Sequence, residues 1–152
     1  EGLDGADIAV YIASAKAAAY RATLAGHELL ITADTIVYTE GKVFGKPHDR
    51  DEACAMLRAL SGRTHQVITG VTIQTLERTR SFAVTTDVTF AELSDEEIAY
   101  YVDHYRPFDK AGSYGIQEWI GFVGVTGIRG SYFNVMGLPV QRLYQELKTF
   151  NE

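Results

Sequence analysis

The sequence predicts an α/β fold of the α+β kind, with a mixed, twisted sheet flanked by helices in a single domain over residues 1–152. Three observations lead there. Apolar residues recur at helical spacing in four separate segments, one at each end of the chain and two between. Two long runs rich in Val, Ile, Thr and Phe, Thr64 to Leu76 and Arg80 to Phe90, are joined by Glu77-Arg78-Thr79, as an antiparallel hairpin requires. No repeat, low-complexity tract or linker divides the chain.

From Asp4 or Asp7 to about Ala25, Ile8, Tyr11-Ile12, Ala15, Ala18-Ala19 and Ala22 recur at helical spacing, with aspartates suited to the start and Gly26 to the stop. The alanine-rich face predicts close approach to a neighbouring element. His27 to Val37 follows as a strand, and Thr39-Glu40-Gly41-Lys42 as a turn. Asp49, with Glu52 three residues on, opens a helix through Ala53, Met56, Leu57 and Leu60 that stops at Ser61-Gly62. Beyond the hairpin, Ser94-Asp95-Glu96-Glu97 starts a helix carrying Ile98, Tyr101, Val102 and Tyr105, which Arg106-Pro107 ends. The glycine-dense region Gly112 to Gly137 predicts short strands, such as Gly121 to Val125, alternating with turns. Pro139 stands near the first turn of a last amphipathic helix through Leu143 and Leu147.

At 46% hydrophobic residues the chain can bury a core of its own. No apolar run approaches the roughly 20 residues of a membrane span, and no secretory leader is expected. A single cysteine, Cys54, rules out an internal disulfide and fits a cytoplasmic protein. Among Ala53, Ala55 and Met56 it is an inert thiol rather than a nucleophile. The formal net charge of −6 argues against nucleic acid as a partner, which needs a basic face. It leaves room for a triphosphate, because a few converging cations and a divalent ion set a local field against the net charge.

The chemistry centres on Ala33 to Val71. The apolar run Leu29-Leu30-Ile31 ends at Ala33-Asp34, a buried strand whose end presents Asp34 to a cleft. Gly45-Lys46-Pro47 follows, a cation on a rigid turn. A carboxylate that activates water and a lysine that meets negative charge suit chemistry on a phosphate. Taken alone, a solvated aspartate and a surface lysine in a hairpin would explain both residues. The spacing Gly41 to Lys46 is not a P-loop, Gly124, Gly127 and Gly130 are not a dinucleotide fingerprint, and no His, Cys or Asp cluster has zinc spacing. His65 is expected to be a structural hydrogen-bonder, and His48 and His104 surface residues.

Ala33-Asp34-Thr35, Phe44-Gly45-Lys46-Pro47, Leu60-Ser61-Gly62 with His65 and Val67, and Thr69-Gly70-Val71 stand in the order and spacing of a known family. Asp109 to Gln117 and Gly130 to Pro139 match two later blocks. On these motifs, from about Lys16 to Pro139, the chain resembles the Maf family of nucleoside triphosphate pyrophosphatases, once described as septum-formation inhibitors. The resemblance implies an inosine triphosphatase-like fold with two lobes around a cleft, and Asp34 as proton acceptor. Lys16 and Lys46 would meet the substrate phosphates and Lys110 would bind the substrate in the segment that sets its choice, as a specificity candidate, with Mg²⁺ or Mn²⁺ as cofactor and Asp34 a candidate ligand. The subfamily acting on dTTP and UTP has Lys-Ala-Gly and Ile-Gln where this chain has Lys110 to Gly112 and Ile116-Gln117, whereas a sister subfamily acting on 7-methyl-GTP differs there. Lys110, Thr35 and Gln117 are therefore the specificity candidates. Glu118-Trp119 departs from the glycine usual after that glutamine, and Trp119 is as well explained by the core as by stacking on a base. Residues 132–139 are expected to pack and to form a homodimer contact. In this family a Ser-x-x-Arg-Arg element and a short acidic segment precede the matched region, so a further stretch of chain ahead of Glu1 is expected. The competing reading is a non-catalytic nucleotide-binding regulator of cell division.

Overall fold

The computed structural model describes residues 4–151. Its first helix, α1 (Gly5–Arg21), begins at Asp4, whose carboxylate accepts the Asp7 N–H at 2.8 Å. Along one face of this helix Gly5, Ala9, Ala13 and Ala17 form a buried ridge of small residues. The helix ends earlier than its periodicity predicts, at Arg21 rather than about Ala25. The Thr23 hydroxyl donates to the Tyr20 carbonyl at 2.7 Å, just beyond the last turn.

Five strands follow: β1 (Leu30–Thr39), β2 (Lys42–Phe44), β3 (Thr64–Gln74), β4 (Thr79–Phe90) and β5 (Val125–Arg129), in the order β2-β1-β3-β4-β5. The sequence leads one to expect a mixed sheet, yet every pairing among the described residues is antiparallel. Tight turns at 40–41 and 75–78 force that sense on two of the pairs; Glu40 and Gly41 both take positive φ, as a two-residue hairpin needs. The predicted hairpin of β3 and β4 runs in register from Thr64 opposite Thr89 to Gln74 opposite Thr79.

The two faces of the sheet are covered differently. On one, Ile36 and Ile68 pack with Ala9 under α1. On the other, α2 (Arg50–Leu60), α3 (Asp95–Tyr105) and α4 (Trp119–Gly124) bury Val37, Val67, Val88 and Phe90 in the main core. At the far end of that face, Leu143 and Phe150 from α6 (Val140–Thr149) and its end cover Val71, Ile73 and Phe82. Between these two groups lies the short α5 (Tyr132–Met136). The α+β class is as the sequence predicts.

Two local signals account for the helices. Ser94 and Glu97 form a reciprocal capping box on α3, and Asp49 accepts the Glu52 N–H to start α2. The segment expected to be a strand, Gly121 to Val125, is instead largely α4, because Ile120 and Gly124, one turn apart, both face the core. Gly121 is required there: a Cβ would stand 1.8 Å from the Ile116 carbonyl oxygen.

Gly70 of β3 lies under α1, where a Cβ would come within 2.3 Å of the Ala9 carbonyl group. Replacing Gly70 with Ala is expected to push the helix off the sheet at a cost of about 1–3 kcal/mol. Thermal unfolding should show a melting temperature lower by several degrees, and an unchanged value would place no such constraint at this position.

Candidate active site

β1 brings the candidate residues together, but not by ending at them. Asp34 is in the middle of the strand, since pairing with β3 continues from Leu30 to Tyr38. β2 covers only Val37 to Thr39 on the other side. A cleft of about 520 Å³ runs beside the remainder, and Asp34, Thr35, Lys46, Lys110 and Gln117 all line it. Strand alternation sends Asp34 and Thr35 to opposite faces of the sheet.

Asp34 sits opposite Gly70 and so shares its face with α1. Lys16, one residue from the buried Ala17, reaches down from that helix. Its Nζ donates to Asp34 Oδ1 at 2.8 Å and to the Ala33 carbonyl at 3.2 Å. The lysine side chain is 46% exposed and the aspartate 24%, so the pair contributes little to stability. What it fixes is orientation. Oδ2 of Asp34 makes no hydrogen bond to the described residues.

The opposite wall is built by two loops tied to each other. The Gly112 N–H donates to the Gly45 carbonyl at 3.1 Å, which sets Lys46 and Lys110 on one rim. Gly112 and Ser113 both take positive φ, 70° and 67°, to make the turn. Only glycine fits at 112, where a Cβ would stand 2.6 Å from a methyl of Val37. Ser113 has no such excuse and bears the strain of a left-handed conformation, fully buried with its hydroxyl on the Met56 sulfur. Lys110 Nζ is 3.1 Å from Asp109, and this bond, with Lys46 adding its charge, holds the Asp109 carboxyl below the usual carboxylate range. Lys46 is exposed and makes no hydrogen bond or ion pair with the described residues.

Thr35 faces the other way, toward α5. Its Oγ1 is 2.8 Å from Thr69 Oγ1 and 3.4 Å from the Gly137 carbonyl, while Thr69 Oγ1 is 3.4 Å from the Asn134 carbonyl. Two hydroxyl protons serve these three contacts. Whichever way they turn, the Thr35 proton is used within the protein, and what Thr35 shows the cleft is a lone pair. Asn134 anchors this arrangement. Its buried Nδ2 shares two protons among the carbonyls of Val67 and Val84 and Thr86 Oγ1, all at 3.0–3.2 Å. Sequence reading assigned the 132–139 block to packing and gave Asn134 and Thr69 no part in the site. An asparagine set among apolar residues, three after the Ser131 cap, was the signal available.

The remaining expectations resolve simply. His65 is structural: it is buried, its Nε2 is 2.5 Å from the Tyr114 hydroxyl, and its ring meets Phe90 edge-on. Burial lowers its pKa to about 4. His48 and His104 are exposed, bonded to Glu52 and to the Tyr100 carbonyl. Cys54 is buried in the main core. Trp119 packs against that core and against Tyr100, and does not line the cleft.

Fold and cleft together define an α+β protein able to hold a polyanion beside a carboxylate. The family model described as Maf-like protein matches residues 2–150, and the chain belongs to that family. It is 67% identical over 146 residues to the dTTP/UTP pyrophosphatase of Phocaeicola vulgatus, covering 96% of this chain and 76% of that protein. The protein of the same name in Parabacteroides distasonis is 61% identical over 150 residues, covering 99% and 78%. That of Flavobacterium psychrophilum is 52% identical over 142 residues, covering 93% and 73%.

The buried neutral His65 makes stability depend on pH. Its folded pKa lies below the ordinary 6.5, so the unfolded chain takes up the proton first. Its contribution is complete above pH 6.5 and is lost as pH falls toward 4, at up to about 1.4 kcal/mol per pH unit. Denaturant unfolding of the wild type should show this slope, and His65→Gln should lack it.

Proposed function

We propose that the protein hydrolyses dTTP and UTP to the monophosphate and diphosphate, with Asp34 as general base. The observation that carries this reading is the Lys16–Asp34 contact of 2.8 Å on one side of a cleft whose other rim bears Lys46 and Lys110. The names of the relatives agree with it and favour turnover over a regulator that only binds.

In the reaction, water attacks the α-phosphorus and gives its proton to Asp34. The bond from that phosphorus to the bridging oxygen breaks, and its electron pair leaves with the diphosphate. Lys46, with no hydrogen bond or ion pair among the described residues, meets the outer phosphates, and Lys110 joins it from the same rim. Lys16 serves twice. It orients Asp34 before substrate arrives and lies close enough to share its charge with a phosphate.

A divalent cation, Mg²⁺ or Mn²⁺, is part of the proposal. Among the described residues no three acidic, His or Cys side chains come together as a cage. Asp34 Oδ2 is nevertheless free, and Mg²⁺ is commonly held by one or two carboxylates with substrate phosphates and water completing the shell. The fit is to a metal that arrives with the nucleotide. Such an ion supplies acidity to water and neutralises phosphate charge.

Base choice falls to Thr35 and Gln117. A glutamine amide can rotate to serve either pyrimidine edge, so Gln117 alone does not separate uracil or thymine from cytosine. Thr35 does: a hydroxyl that offers only a lone pair accepts the N3–H of uracil or thymine and finds no proton on N3 of cytosine. The proposal extends to a cytoplasmic homodimer, supported by the exposed Tyr132, Phe133 and Met136. No helix of the described residues is long and apolar enough to cross a membrane, and the net charge of −6 disfavours a nucleic-acid partner.

Asp34→Asn should keep nucleotide affinity and lose turnover by about 10²–10⁴, as measured by diphosphate release and by calorimetry. Equal loss of binding would take the general-base role from this residue. Thr35→Val removes the lone pair and should lower the preference for UTP over CTP by about tenfold in kcat/KM; an unmoved ratio would end the lone-pair argument.

A further inference from the structure

The wall that carries Gln117 is held from behind by two side chains that do not face the cleft. Tyr101 of α3 is fully buried, and its ring stacks on Tyr105 at 5.1 Å. Its hydroxyl donates to Glu118 Oε1 at 2.5 Å and accepts the Gly115 N–H at 3.0 Å. A phenol has one proton and free lone pairs, so both bonds form at once. Burial and then the Glu118 carboxylate push the phenol pKa up, which keeps that proton in place.

The turn so held is closed on itself, since the Glu118 N–H donates to the Gly115 carbonyl at 3.0 Å. Both its ends therefore hang on one hydroxyl. Lys110 belongs to the same layer: a Cβ at Gly115 would stand 2.8 Å from Lys110 Cε and 3.0 Å from Glu118 Oε1. The lysine stem, the glycine backbone and the carboxylate are stacked without a gap. Glu118 itself is not among the residues lining the cleft. A carboxylate released from the phenol would instead be free to turn toward the phosphates.

We propose that Tyr101 and Glu118 are positioning residues, which through the phenol hold the turn 115–118 so that Gln117 and Lys110 meet the nucleotide in register. The inference rests on the nucleotide reading above. Neither residue touches the substrate. The departure from glycine at position 118 thereby gains a function, as the counterpart of a tyrosine on another helix.

The test compares wild type with Tyr101→Phe, Glu118→Ala and Glu118→Gln in the full chain, by steady-state hydrolysis of UTP and CTP, calorimetric binding of α,β-methylene-UTP, and melting temperature. Tyr101→Phe and Glu118→Ala should each raise KM for UTP about tenfold with kcat within about twofold, because what is lost is binding common to ground and transition states. They should also lower the preference for UTP over CTP, because a base no longer held in register by Gln117 is not presented squarely to the Thr35 lone pair. Glu118→Gln, whose amide oxygen still accepts the phenol proton, should restore the wild-type values. Unchanged KM and preference in Tyr101→Phe and Glu118→Ala, even with lower melting temperatures, would reduce the pair to a structural tie and overturn the proposal. So would a Glu118→Gln protein that behaves like Glu118→Ala. If Tyr101→Phe does not fold, the two Glu118 variants, at a partly exposed position, decide alone. A wild type that neither binds the UTP analogue nor hydrolyses UTP defeats the nucleotide reading itself, and is recognised as such before any variant is compared.

Discussion

The absence of a side chain at position 70 is the constraint on which the site depends. A helix can approach a sheet this closely only where both surfaces are nearly bare, and here a ridge of glycine and alanine on α1 lies against a glycine of β3. Gly70 is also the cross-strand neighbour of Asp34. The same contact that seats the helix therefore sets the distance from its Lys16 to the carboxylate. A larger residue in the ridge or at position 70 would move the helix backbone from which Lys16 makes its 2.8 Å contact.

The sheet also separates two tasks. Asp34 projects to the α1 face and Thr35 to the α5 face, so the proposed reading places proton transfer on one and base recognition on the other. Adjacent residues on one strand thus divide reaction from recognition because side chains alternate. Each task has its own support: the small-residue ridge behind Asp34, and a ladder of hydroxyls and backbone carbonyls ending at Asn134 behind Thr35.

Much of this was legible in the sequence. Capping residues placed the starts of α2 and α3, and the β-rich runs gave the β3–β4 hairpin because short polar junctions leave few alternatives. Asp34, Thr35, Lys46, Lys110 and Gln117 all reach one cleft, with Lys16 beside it, though their grouping came from resemblance rather than from periodicity. The misreadings share a cause. Polarity breaks the apolar run at Asp34 and so predicts a strand end there, whereas the strand continues through Thr39. The glycines of 121–125 predict a strand because they mask a helical face that only the neighbouring Ile116 carbonyl explains. Thr69, Asn134, Tyr101 and Glu118 went unassigned because their partners lie far along the chain, and a single sequence does not say which distant groups will meet.

The bond from Gly112 to Gly45 has a bearing on how this protein could diverge. It joins the rim that carries Lys46 to the segment that carries Lys110 and Gln117, and it depends on two successive left-handed residues. On the proposed roles of Lys46, Lys110 and Gln117, substrate choice and phosphate grip are consequently not separate modules. A segment transplanted into 109–117 from a protein of different preference brings a new base reader, but unless it repeats that backbone geometry it also unfastens Lys46. Variation in specificity should then be confined to side chains on an unchanged main chain, and a loop of different length would have to rebuild the anion site along with the base site.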